Sequence, residues 1–181
     1  MKIFDGETRT PEFLNINKFS TIPALAHGSL KIGASDSILQ YLCEVFPEKL
    51  KCYYGLNPAE RVQINEFLSW YQSTYRPALI AMIIPKFSYS RQQKTIPKSV
   101  HEEARVKMED ALSKFNVFLS KGNTYICGEK VTIADLLYFF DTANVFFIYK
   151  GNLDKWEKVN NWFNKMMEIS EIAKIQEQYK E

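Results

Sequence analysis

The sequence predicts a small α/β segment followed by an all-helical domain. Three observations carry this. Before residue 48 the apolar runs are of strand length and are broken by turn residues, as at residues 22–25 and 30–32 around Gly28. Beyond Pro58 the apolar positions recur at helical spacing almost to the end of the chain. Between Thr132 and Asp135, "KVTIADLLYFF" carries a helix-start signal of the capping-box type.

Taken in order, residues 1–5 read as a strand. "TPEFLNIN" reads as a short helix, with Thr10 as cap, Pro11 in the first turn and Glu12 near the positive helix end. Residues 22–25 and 29–33 form two strands joined at "AHGS". From Ser35, a helical period runs through Ile38, Leu39, Leu42, Val45 and Phe46, and Pro47 ends it. "PEKLKCYYGLNP" reads as a linker of turn residues and aromatics. A long helix through Val62, Ile64, Phe67, Leu68, Tyr71 and Tyr75 follows, to be kinked or broken at Pro77 and Pro85. Another covers residues 101–120. Thr132 caps the next, with Val131 and Leu136 closing a hydrophobic staple, and two more cover residues 153–169 and 170–180. The domains are therefore residues 1–47, a linker at 48–57, and a helical domain at 58–181.

With 46% hydrophobic and 14% aromatic residues the chain can bury a sizeable core. A net charge of +2, with acids and bases interspersed, gives no basic stripe for nucleic acid. Three cysteines and two histidines lack metal-ligand spacing, so no metal and no disulfide framework is expected. A reduced, cytoplasmic setting fits this cysteine usage. No signal peptide is expected from the residues around Lys2. The apolar run at residues 136–149, interrupted by Asp141 and Asn144, is too short to span a bilayer, so no membrane partner is expected.

These residues resemble a known family. "GETRTPEFLNINKFSTIPAL", "GASDSILQYL" and "YICGEKVTIADL" are similar, in order and across essentially the whole chain, to motifs of the glutathione S-transferases. "NPAERVQINEFLSWYQSTYRP" looks most like the matching helix of the theta class. The resemblance implies a truncated thioredoxin-like domain that binds glutathione as cosubstrate, followed by the transferase-type helical domain. The activity it implies is conjugation of glutathione to small electrophiles, in a homodimer or as a subunit of a larger protein assembly.

It also implies site residues. Pro23 would be cis, turning the backbone of Thr21 and Ile22 toward the cysteinyl unit of glutathione. Read alone, Pro23 is an edge-strand or turn proline. Ser35, at a helix N-terminus, would hold the γ-glutamyl carboxylate, a position that a plain capping serine fills equally well. Ala34 stands where the family has an acid or glutamine touching the γ-glutamyl amine. Thr8 would reach the glycyl end, and Thr21 stands where many theta-like members have lysine. Arg76 would face the thiolate as the catalytic cation, or else form a surface salt bridge. Tyr71, Tyr75, Met82 and Phe87 line an electrophile pocket or, at helical spacing, the core.

Family members carry a strand and helix of about 25–30 residues, the size of a βα unit, ahead of the segment matching Met1. That unit bears the catalytic Ser, Tyr or Cys. Three explanations stand side by side: an incomplete chain, a strand supplied by a partner, or a non-catalytic relative held in an assembly. For the last, the transferase-like domain of translation elongation factor 1 gamma is a precedent.

Overall fold

The computed structural model describes residues 6–119 and 122–178; the strand expected at residues 1–5 lies outside them. The chain divides into two compact units, residues 1–61 and 62–181.

In the first unit a 3₁₀ turn at Glu7–Arg9 leads into α1 (Pro11–Leu14). Thr10 caps α1, its hydroxyl accepting from the Phe13 amide at 3.3 Å, and Pro11 occupies the first turn, where its missing N–H is not needed. Phe13 is thereby turned inward and buried. Strands β1 (Ala24–His27) and β2 (Leu30–Gly33) pair antiparallel, with His27 opposite Leu30 and Ala24 opposite Gly33. The two-residue turn between them puts Gly28 at φ 60°, on the left-handed side that glycine enters freely. Helix α2 (Ser35–Val45) follows and buries Cys43. The stretch read as a linker folds in part: Pro47 opens α3 (Pro47–Leu50), and a 3₁₀ turn at Lys51–Tyr53 continues it. A proline that ends one helix is equally suited to start the next.

Helix α4 (Pro58–Trp70) begins at a reciprocal cap. The Glu60 amide donates to Asn57 Oδ1 at 3.0 Å, while the Glu60 carboxylate accepts from the Leu56 amide at 2.7 Å. The break expected at Pro77 takes the form of a π-helical turn at Tyr71–Tyr75 ahead of α5 (Arg76–Arg91). Pro77 cannot donate to the carbonyl four residues back, and the turn widens so that the Arg76 amide bonds to the Tyr71 carbonyl. Pro85 is carried inside α5.

Helices α6 (Lys98–Leu119), α7 (Ile133–Tyr149), α8 (Glu157–Met167) and α9 (Ser170–Glu177) complete the second unit. Its core is aromatic. Tyr75, Phe115 and Tyr138 are fully buried, with Tyr138 ring centroids 4.5 Å from Tyr75 and 4.9 Å from Phe115. Helix α7 runs through this core, and its start is anchored as expected. Asp135 accepts the Thr132 amide at 2.8 Å, closing the capping box. The same carboxylate also accepts from the Ile126 amide and from Trp162 Nε1, each at 2.9 Å, so one buried acid ties a loop and two helices together. Among the described residues no helix is long and apolar enough to cross a membrane.

Candidate functional site

The hairpin register brings the first unit's site together. Because Ala24 lies opposite Gly33, the chain entering β1 and the chain leaving β2 emerge at the same end. Thr21, Ile22 and Pro23 therefore lie beside Ala34 and Ser35. The Ile22–Pro23 bond is cis, and Ile22 and Pro23 are exposed. Among the described residues, neither the amide nor the carbonyl of Ile22 makes a hydrogen bond. Ser35 is the first residue of α2, and the first amide seen to turn back into that helix is Ile38, donating to Ala34. Among the described residues, three amides at its N-terminus have no hydrogen-bond partner, as at any helix start without a side-chain cap.

Asn17, to which the motif reading gave no role, holds this arrangement. Its side chain is buried and donates through Nδ2 to the Thr21 carbonyl at 2.7 Å and the Thr21 hydroxyl at 3.0 Å; Oδ1 accepts from the Phe19 amide at 3.1 Å. Asn17 also lies against Gly33 so closely that a Cβ there would sit 2.2 Å from Nδ2. The signal was present, since Asn17 belongs to the matched motif, but only the contact to Gly33 shows why an amide is needed. Thr8 is buried, and its carbonyl accepts from the Ser20 hydroxyl at 2.7 Å. It braces the same loop from the other side.

Two features mark the approach to α2. Ala34 holds φ 108°, ψ 121°, a conformation that costs a residue with a Cβ about 1–3 kcal/mol. Asp36 has one carboxylate oxygen, Oδ1, that is buried without a hydrogen-bond partner among the described residues. Its charge suits the positive end of α2.

In the second unit Arg76 is not a free cation. Its Nη1 donates to Asp141 at 2.8 and 2.7 Å and to the Tyr71 hydroxyl at 2.9 Å, and that hydroxyl in turn donates to Asp141 Oδ2 at 2.7 Å. Burial works against the Arg76 charge, but Asp141 and Tyr71 outweigh it and hold its pKa above the ordinary value. Burial, then the Asp141 charge, pushes the Tyr71 hydroxyl well up. Asp141 and Tyr71 are buried, whereas 36% of the Arg76 side chain remains exposed. The sequence pointed to Arg76; nothing in its spacing pointed to Asp141, 65 residues away.

Of the four residues weighed for an electrophile pocket, Tyr71, Tyr75 and Met82 are core. Phe87 instead lines an open cavity of about 560 Å³, with Lys86 from α5 and Phe146, Phe147, Ile148 and Lys150 from the end of α7.

Comparison with known proteins agrees with both units. The glutathione S-transferase N-terminal domain matches residues 2–50, and the glutathione S-transferase C-terminal domain matches residues 73–169. The chain belongs to the glutathione S-transferase family. It is 29% identical over 184 residues to glutathione S-transferase F10 of Arabidopsis thaliana, covering 98% of this chain and 83% of that one. Glutathione S-transferase 2 of Anopheles gambiae is 26% identical over 144 residues, covering 79% and 65% of the two. The crystal structure of glutathione transferase F2 from Populus trichocarpa superposes with a TM-score of 0.85 at 24% identity, covering 99% and 84%, and so shares the fold.

Proposed function

We propose that the chain binds glutathione along Ile22 and Pro23 and at the start of α2, and conjugates it to small electrophiles. In this reading it acts as a theta-like cytoplasmic homodimer. The observation that carries the reading is one juxtaposition. The amide and carbonyl of Ile22, unpaired among the described residues, stand at the same end of the hairpin as the N-terminus of α2 at Ser35. The first pair offers a strand-like edge for the cysteinyl unit; the second offers amides and a hydroxyl for the γ-glutamyl carboxylate. Thr21 and Thr8 border the glycyl end. Asp36 supplies a carboxylate for the γ-glutamyl ammonium, two positions beyond the alanine that replaces the family's acid.

A thiol of pKa about 8.5 becomes a useful nucleophile near neutral pH only when its thiolate is stabilised. The Ser, Tyr or Cys that does this would come from a strand–helix unit ahead of residue 1. Arg76 would assist as a donor. Among the described residues its Nη1 is fixed by Asp141 and Tyr71 while Nη2 and Nε make no hydrogen bond. Since Asp141 balances its charge, the help is a directed hydrogen bond rather than a net positive field.

That same pairing, together with Ala34, favours a second reading: a non-catalytic subunit of a larger assembly that keeps the fold. Calorimetric titration with glutathione separates the two. Binding by the chain, weakened about tenfold or more by Ser35→Ala and improved by Ala34→Glu, supports the first reading. So does turnover of an aryl electrophile by a chimera bearing a theta-class N-terminal βα unit. A folded chain and chimera that bind no glutathione support the second.

A further inference from the structure

We propose that the face formed by the end of α5, the start of α6 and the end of α7 is a docking surface for an amphipathic helix of a partner protein, with apolar anchors along its centre and Asp or Glu along its edges. Three elements of the second unit meet there. The ring of Tyr149, at the end of α7, lies 5.6 Å from that of His101 in the first turn of α6. The same ring lies 5.0 Å from Lys86 Nζ of α5, which also donates to the Ile148 carbonyl at 2.9 Å. The cavity between α5 and α7 has Phe87, Phe146 and Phe147 in its wall. On α5, Ile84, Phe87 and Arg91 recur at i, i+3 and i+7 and so share one side of the helix. Ile84 is 56% exposed and Phe147 52%, an apolar surface of the kind that a packed partner covers.

Charge decides the kind of partner. No Asp or Glu occurs between residues 67 and 101, a stretch that holds Arg76, Lys86, Arg91, Lys94 and Lys98. None occurs from residue 142 to 153, which carries Lys150. Of the acids flanking these stretches, Asp141 is paired with Arg76, Glu102 with Arg105 and Glu103 with Lys107. Lys86 and Lys150 sit at the negative pole of α7, which favours cations and accounts for both. Arg91, Lys94 and Lys98 have no such account. They are exposed and make no ion pair among the described residues. Lys98 opens α6, at the positive pole of a helix with no acid in its first turn, where a cation works against the helix. A carboxylate brought from outside answers both the lysine and the pole. The shape selects the form of the occupant. A lipid surface would leave a concave wall unfilled, whereas a helix laid between two helices places side chains at i, i+3 or i+4 and i+7 into such a groove.

The test uses three fluorescent helical peptides of about four turns, titrated into the full chain without glutathione. One carries a Leu/Phe stripe edged with Glu, the second the same stripe edged with Gln, and the third the Glu peptide's composition with the stripe scrambled. We expect the Glu-edged peptide to bind at least about tenfold tighter than the Gln-edged one at low salt, a margin that several partly exposed ion pairs can supply. The margin should shrink as salt is raised. Arg91→Gln/Lys94→Gln/Lys98→Gln should remove it, while Phe147→Ala and Ile84→Ser should weaken both striped peptides. Lys98→Glu should raise Tm and abolish the preference for acid. Equal binding of the Glu- and Gln-edged peptides, equal binding of the scrambled one, no binding at all, or a preference untouched in the triple variant would overturn the proposal. So would a lower Tm in Lys98→Glu, by showing that the lysine serves the helix start. Co-sedimentation with phosphatidylserine vesicles in the absence of peptide binding would give the face to a membrane instead. Self-association lost in Phe147→Ala would give it to a second copy of the chain. Glutathione binding plays no part in any of these outcomes.

Discussion

The two units build their sites from different material. In the first, the polar groups left without a partner among the described residues belong to the backbone: the Ile22 peptide and the opening amides of α2. Side chains such as Asn17 and Thr8 serve to hold that backbone in place. In the second, the polar centres are side chains that satisfy one another across helices, as Arg76, Tyr71 and Asp141 do, or around a helix start, as at Asp135. A backbone site tolerates change in the side chains lining it but depends on the residues that fix its geometry. A side-chain network fails when one member is lost, because its buried partners are left unpaired. Substitutions can set these two behaviours against each other.

The largest effect should come from Asp135→Ala. It would orphan the Thr132 and Ile126 amides and the Trp162 indole N–H inside the protein, at about 1–3 kcal/mol each where no water replaces the acceptor. We expect a loss of about 4 kcal/mol or more, which urea unfolding followed by tryptophan fluorescence would read directly. All three tryptophans, Trp70, Trp156 and Trp162, lie in the second unit. Thr132→Ala should cost about 0.5–2 kcal/mol, as cap losses do. The double variant should fall short of the sum, since both residues serve one motif. Strict additivity would show that the box contributes nothing as a unit.

Next in size is Asn17→Ala in the first unit, which frees the Thr21 carbonyl and the Phe19 amide. We expect a loss of about 1–2 kcal/mol in stability and a larger proportional loss in glutathione affinity, because the Ile22 peptide is no longer held. Gly33→Ala should resemble it, since the added Cβ would collide with the Asn17 amide. If calorimetry found Asn17→Ala destabilised but unchanged in glutathione affinity, Asn17 would be a structural residue only. The contrast between the two units would then weaken.

How much of this was legible in the sequence follows the same division. Local signals were readable: the Thr10 and Thr132 caps, the turn at Gly28, and the breaks at Pro47 and Pro77 all depend on residues within a few positions of one another. The motif around Pro23 located the cis bond as well, and the segments of that motif are brought together by a single two-residue hairpin turn. What escaped was long-range pairing. No local pattern joins Asp141 to Arg76, Trp162 to Asp135, or Lys86 on α5 to the end of α7. The linker reading missed α3 because Pro47 carries two meanings, and only packing selects between them.

The smallest effect expected is a chemical one that leaves the fold intact. The three cysteines differ in setting: Cys52 is exposed, Cys127 partly buried and Cys43 buried. Burial, with a lesser contribution from Cys52, pushes the Cys43 thiol up to about 11, and burial together with the Asp135 charge pushes the Cys127 thiol up to about 12. The reactive species is the thiolate, and raising a pKa lowers its population at a given pH. Near pH 8 the thiolate should then be about one part in 10³ at Cys43 and one in 10⁴ at Cys127, by the tenfold change per unit that ionisation obeys. Titration of the native chain with an aromatic disulfide should therefore show one fast thiol, lost in Cys52→Ser, and two slow ones that react only on unfolding. Two fast thiols in the native chain would mean that the loop carrying Cys127 opens without the rest of its unit. Asp135 would then be a weaker anchor than its hydrogen bonds imply, and the gap between Asp135→Ala and Asn17→Ala should close.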